Sequence, residues 1–416
     1  MMSFFSPPKD PELLNVAVTI HPNMPGLPSS PKSKTETLGS GHKGNITSLW
    51  AATDSAAFKA LDPATLEPIG IASQKTLHPS LKGPMSCAHA QTDPVTGDVY
   101  NYNLNFGRNA TYRVFCTSAS TGKTEILATI SGNGVRPAYL HSFFMSEDYV
   151  VLCIWGAHFA GVGLGILKNM NMMDALSPFD PSQKSRWFVV DRKHGKGVVA
   201  EFESEAAFCF HTVNCWQEGD GDSVVCEFAE YENLDILEAL YYENMTSEGG
   251  NAVSFRDERG EGCMSNMVRY RLSGIGNGKE KRKGIGKAEK IMSIPKRQAG
   301  DLPTMNPRFR MRESRYVYSV LNRGLSTFFD GLSKVDMKTG EVRYWDNPKG
   351  HTPGEAIFVP NPEGMEEDDG VLLSVVLDGF RKTSYLVCLD ARTMGELGRA
   401  DVQCVVGFGF HGAHVG

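Results

Sequence analysis

Four histidines occupy strand-like contexts spread over most of the chain: His89 in SCAHAQTDP, His141 in AYLHSFFMSEDYVVL, His211 in FCFHTVNCWQE and His411 in GFGFHGAHV. Their separations, 52, 70 and 200 residues, exclude a zinc finger or a helical His-x-x-x-His pair, so only a closed fold can gather them. Once gathered, they make an all-imidazole metal centre. In an extended strand alternate side chains share a face, which sets His211 with Cys209 and Val213 and opposite Phe208, Phe210 and Thr212. Neutral imidazole suits Fe, Cu, Zn and Ni, and with neither carboxylate nor thiolate among the ligands the spacing leaves the metal open.

The elements that must position these residues read as β-structure. An apolar run, an Asp or small polar residue, a few turn residues and a second apolar run recur six times. They appear as LDPATLEPI from Leu61, TDPVTGDVYNY from Thr92, TSASTGKTEILATI from Thr117, VDRKHGKGVVAEF from Val190, VDMKTGEVRYW from Val335 and LDARTMGELG from Leu389. Asp at the first turn position bonds forward to backbone N–H groups, and Gly near the end accepts the positive φ of a tight hairpin. Repeated hairpins between β-rich segments imply an all-β propeller or large barrel, which absorbs 416 residues as one domain. Helical pattern is scarce, its best candidate being LDILEALYYENM from Leu234. Residues 273–290 combine glycine with six lysines and arginines and read as an exposed basic loop. Residues 154–176 are apolar but too glycine-broken for a membrane-spanning helix.

A net charge of −6 gives no electrostatic footprint for nucleic acid. Nine cysteines without a Cys-x-x-Cys pair, behind a start that lacks a signal pattern, fit a reducing cytoplasmic compartment. The sequons at Asn45, Asn109 and Asn244 are then chance matches.

The four histidine contexts, the run GHTPGEAIFVPNPEGMEEDDGVLLSVVLDG from Gly350 and the terminal GFHG resemble the carotenoid cleavage oxygenases, and within them the fungal torulene-cleaving branch. The resemblance runs from about Asp10 to the end. It implies a seven-bladed β-propeller with Fe(II) on its axis, held by His89, His141, His211 and His411, under loops that form a dome over one face. It implies oxidative cleavage of a conjugated C=C bond of a carotenoid or apocarotenoid by O2 into two aldehydes. It also sets carboxylates behind the histidines: Glu355 falls on one such position, and Asp54 and Asp301 fall where relatives carry glutamate. A carboxylate that accepts the other imidazole N–H fixes tautomer and orientation, and aspartate, one methylene shorter, demands a closer backbone. Relatives begin with a longer N-terminal region that has no counterpart before DPELLNVAVTIHP.

Phe143, Phe208, Phe210, Trp216, Phe408 and Phe410 are candidates to line an apolar substrate tunnel, against ordinary core packing. Trp155, Phe159, Leu164 and Leu167 are candidates for a membrane-facing patch through which an insoluble polyene enters, against a buried connection between blades. His414 is a decoy three residues beyond His411, since the family motif puts the ligand in Phe-His-Gly. Two rival functions stay open. Stilbene cleavage needs, by the same resemblance, a Lys before the carboxylate matched by Asp54, where this chain has Thr53. A propeller that binds partners without catalysis is the other.

Overall fold

The hairpins form as their turn chemistry dictates. In a computed structural model that describes residues 8–16, 18–28, 46–107, 109–132, 134–169, 171–245, 259–276, 284–325 and 328–414, the Asp93 carboxylate accepts from the backbone N–H groups of Val95 and Thr96. Gly97 closes that turn at φ +74°, a conformation L side chains rarely adopt. Asp62 and Asp336 each accept from two backbone N–H groups in the same way. These turns return each strand onto its predecessor, so consecutive strands pair and build sheets one after another along the chain.

Six sheets result among the described residues, each a blade of a propeller. The first holds Thr19–Pro22, Leu49–Ala52, Ala57–Leu61 and Pro68–Ser73. The second begins at Gln91–Thr92 and ends at Thr124–Ile130. The third runs from Phe144–Met145 to Val198–Ser204, and the fourth from Thr212–Glu218 to Glu289–Ile294. The fifth spans Asp301–Thr304 to Val342–Tyr344, and the sixth His351–Pro353 to Glu396–Asp401. The expected seven blades are therefore corrected to six. The number seven came with the resemblance, whereas blade number is set by how many sets of strands the chain folds, and the described residues before Thr19 and after Asp401 add no further strand.

The expected loop over 273–290 is also shorter than anticipated. Residues 277–283 lie outside the described set, but Ile285–Lys287 pairs in parallel with Val198–Ser204 of the third blade, and Glu289–Ile294 then pairs with Asn266–Ser273 of the fourth. Ala288 between them is buried. The segment thus ties two blades together, and glycines and lysines masked its strand character.

The largest core cluster joins the second, third and fourth blades. Trp155, 1% exposed, packs edge-on against Trp187 and beside Phe228, while Phe159, 2% exposed, meets Phe106 edge-on. Both are core residues, so the membrane patch proposed for them is corrected: an apolar run composes a buried strand and its continuation as readily as a membrane face. Leu164 and Val162 in the same segment do face outward; the side chain of Leu167 lies outside the described set. The expected helix near Leu234 forms as two short pieces, Asp235–Ala239 and Tyr242–Met245, with Ile236 and Leu237 buried.

Candidate metal centre

The innermost strand of each blade places the chemistry. His89, His141 and His211 stand one to three residues before Gln91–Thr92, Phe144–Met145 and Thr212–Glu218, the strands that line the central cavity in the second, third and fourth blades. Asp301 opens the innermost strand of the fifth blade, and Glu355 lies between the two short strands at the inner edge of the sixth. Residues that enter parallel-running inner strands collect at one end of the axis. His411 arrives from the tail beyond the sixth blade.

One nitrogen from each of the four imidazoles falls within 4.8 Å of all the others. His89 Nε2 lies 3.1 Å from His141 Nε2, and His211 Nε2 lies 3.2 Å from His411 Nε2. Three of the far nitrogens are committed: His141 Nδ1 donates to Asp54 Oδ2 at 2.7 Å, His211 Nδ1 to Asp301 Oδ1 at 2.7 Å and His411 Nδ1 to Glu355 Oε1 at 3.1 Å. With those protons on Nδ1, the Nε2 lone pairs of three rings point into one small space, an arrangement that repels unless a cation stands among them. Ligands at right angles around a metal at roughly 2.1 Å are about 3 Å apart, which is the spacing seen. The four residues fit a metal ion.

The aspartates reach their partners directly because the backbone approaches. Asp54 and Asp301 are 5% and 3% exposed, and each is shared. Asp54 also accepts from Ala88 N–H at 3.1 Å and Tyr139 O–H at 2.9 Å; Asp301 accepts from Leu302 N–H at 2.8 Å and Tyr231 O–H at 2.6 Å. Burial alone raises the Asp301 carboxyl, but His211, Tyr231 and the Leu302 N–H outweigh it and hold the group below the usual carboxylate range. Glu355 is fixed differently, by the Gly412 N–H at 2.9 Å. Burial, then the four histidines His411, His141, His211 and His21, hold His89 well below its ordinary pKa, and burial lowers His211 despite Asp301. Neutral rings keep their lone pairs for a metal.

The centre partitions two cavities. An axial cavity of about 390 Å³ touches His89, His211 and His411 and is lined by Gln91, Thr92, Phe143, Thr212 and Thr304. A second, more apolar chamber of about 420 Å³ touches His141, His211 and His411 and is walled by Val18, Phe210, Ile236, Leu240, Leu302, Phe329, Phe408 and Phe410. Of the tunnel candidates, Phe210, Phe408 and Phe410 line the chamber and Phe143 the axial cavity. Phe208 is fully buried. Trp216 lines neither: its position on Thr212–Glu218, five residues beyond His211 and past an irregularity in pairing, turns it onto the Arg269 guanidinium at 4.9 Å. His414 is exposed at the axial cavity and joins no ligand set. Tyr139, Tyr231 and Phe329 were missed by sequence reasoning. Tyr139 had a signal, since it sits two residues before His141 and so on the same face of an extended chain; Tyr231 had none, because only the fold brings it to Asp301.

The chain matches the retinal pigment epithelial membrane protein family, the carotenoid oxygenases, over residues 14–416. It belongs to that family. It is 46% identical to a carotenoid dioxygenase of Neurospora crassa, over 96% of this chain and 69% of that one, and 42% identical to a torulene dioxygenase of Fusarium fujikuroi, over 98% and 72%. The structure of a cobalt-substituted Synechocystis apocarotenoid oxygenase superposes with a TM-score of 0.69 at 20% identity, covering 88% of this chain and 72% of that one, a likeness of fold. The likeness extends over the propeller whose strands bring the four histidines of this chain to one point. No helix among the described residues is long and apolar enough to cross a membrane.

His158, outside the centre, gives a pH prediction. Burial, then the charge of Arg136, lowers its pKa from 6.5 to about 4. The unfolded chain binds a proton there below about pH 6.5 and the folded chain does not until about pH 4, so stability should fall across that window by roughly 3 kcal/mol. Urea midpoints of metal-free protein should decline from pH 6.5 to 4, and the slope should flatten in His158→Gln. An unchanged slope would remove His158 as its source.

Proposed function

We propose that this carotenoid oxygenase is an iron(II)-dependent dioxygenase that cleaves one conjugated C=C bond of a torulene-like carotenoid or apocarotenoid into two aldehydes. The observation that carries the reading is the convergence of four imidazoles, of which three, His141, His211 and His411, are backed by carboxylates and stand on the wall of an apolar chamber. The names of the fungal relatives support the substrate class. His89, His141, His211 and His411 would hold the metal, and iron(II), when bound, supplies the one-electron chemistry that lets ground-state O2 react with a closed-shell alkene. Both oxygen atoms enter the products as the carbon–carbon double bond is lost.

The chain's own residues do the rest. Phe210, Phe408 and Phe410 offer ring faces to a flat polyene, which gains by leaving water and brings no polar group that needs a partner. The chamber excludes water from the bond to be cleaved. Asp54, Asp301 and Glu355 hold the imidazoles in one tautomer, so the ligands stay aimed while substrate enters and product leaves. Delivery from a lipid surface fits the same reading, with Val162 and Leu164 as the exposed apolar side chains of the 154–176 segment.

The test is product analysis. Iron-loaded protein incubated aerobically with torulene in detergent micelles should form two aldehydes, with one O2 consumed for each molecule cleaved. Binding of torulene without aldehyde would favour the scaffold reading, and cleavage of stilbenes but not of torulene would favour the rival substrate class.

A further inference from the structure

Two of the three carboxylates behind the histidines end in a tyrosine. Tyr139 donates to Asp54 Oδ2 at 2.9 Å, the same oxygen that takes the His141 Nδ1 proton at 2.7 Å. Tyr231 donates to Asp301 Oδ2 at 2.6 Å, while Oδ1 takes the His211 proton. The two relays are built alike from unrelated segments, and the tyrosines are joined through Phe208, which stacks on Tyr139 with centroids 6.1 Å apart and lies 6.0 Å from Tyr231. Phe210 meets both tyrosine rings edge-on from the chamber side. Both hydroxyls are buried with their rings, which are 4% and 1% exposed. The third carboxylate, Glu355, has a backbone N–H in place of a phenol.

We infer that Tyr139 and Tyr231 are positioning residues that set how strongly His141 and His211 donate to the metal. The inference rests on the metal-centre reading above. A carboxylate pulls on the imidazole N–H and makes the ring a stronger donor. A phenol O–H on the same carboxylate draws part of its charge away and weakens that pull, and in a dry, low-dielectric site such chains of hydrogen bonds polarise one another. Strong imidazole donors favour the ferric over the ferrous ion. The two phenols therefore oppose that drift and shift the balance toward the ferrous form relative to the bare aspartates. Ring and phenol meet on one oxygen of Asp54 and on the two separate oxygens of Asp301, so each carboxylate is shared between the two donors.

The experiment measures the ferric/ferrous midpoint potential of iron-loaded protein. Tyr139→Phe and Tyr231→Phe each keep ring and packing but lose the O–H, and each should lower the potential, with the double variant lowest. Replacing tyrosines globally with 3-fluorotyrosine, a stronger hydrogen-bond donor, should move the potential in the opposite direction, and this shift should vanish in the double Phe variant. A purely structural role for the phenols would lower the melting temperature of the variants and leave the potential in place, which would overturn the inference. Should the Phe variants fail to fold, the fluorotyrosine protein decides alone: a raised potential supports the relay and an unmoved one overturns it. Parent protein that binds no iron would overturn the metal-centre reading and this inference together, whereas iron-bearing parent with an unmoved potential overturns this inference only.

Discussion

Replacing His411 with Ala is expected to abolish polyene cleavage, a loss beyond the roughly 100-fold that removing an outer partner of a ligand brings, and to lower bound iron. His411 is the most discriminating of the four. It comes from the segment after the last strand, Glu396–Asp401, and takes part in no strand pairing, so its removal leaves the six sheets intact. Among the described residues no further side chain, His414 included, joins the four in a metal-binding group, so the remaining three imidazoles gain no replacement. Circular dichroism and melting temperature should match the parent while iron content and aldehyde formation fall together. The same substitution at His414 should leave both intact. An active His411→Ala variant would remove this residue from the centre.

Asp301→Ala should have the second largest effect. It strips an acceptor at once from His211 Nδ1, the Tyr231 O–H and the Leu302 N–H, all in a site 3% exposed. A buried donor left without partner costs about 1 to 3 kcal/mol, and loss of the carboxylate behind a metal-binding histidine costs about 10 to 100-fold in metal affinity or activity. Both stability and iron retention should therefore drop, unlike in His411→Ala, where only iron is affected. Asp301→Asn, which keeps an acceptor oxygen, should recover much of the stability but less of the iron affinity. Equal iron affinity of Asp301→Ala and the parent, measured by competition with a chelator, would rule out the contact as a support for the centre.

The turns were the most legible part of the fold, since Asp93, Asp62 and Asp336 act locally and their bonds span two or three residues. His89, His141 and His211 were legible because each stands just before an inner strand, which leaves a short apolar signature around it, and His411 because it sits in a Phe-His-Gly triplet. Blade number was not legible. It depends on which strands join across long connections, and the turn pattern marks hairpins within sheets without marking where one sheet ends. Two hairpins, at Asp93 and at Thr117, fall in one blade, and the fourth blade has none of the six. The apolar segment from Ile154 was misread for Trp155 and Phe159 because composition states how apolar a stretch is and leaves open what covers it. Trp216 failed for a geometric reason: an irregularity between Thr212 and Asn214 shifts the register that alternation assumes. The Tyr–Asp relays were beyond reach, as they pair residues 85 and 70 positions apart.

The measurement that bears most directly on the central claim is turnover against metal occupancy. Metal-free protein reconstituted with graded ferrous iron under anaerobic conditions, then assayed with torulene and O2, should show aldehyde formation that rises in proportion to bound iron and saturates at one iron per chain, with none in protein reconstituted with zinc. Cleavage by iron-free protein, or one tightly bound iron per chain with no oxygen-dependent aldehyde, would contradict it.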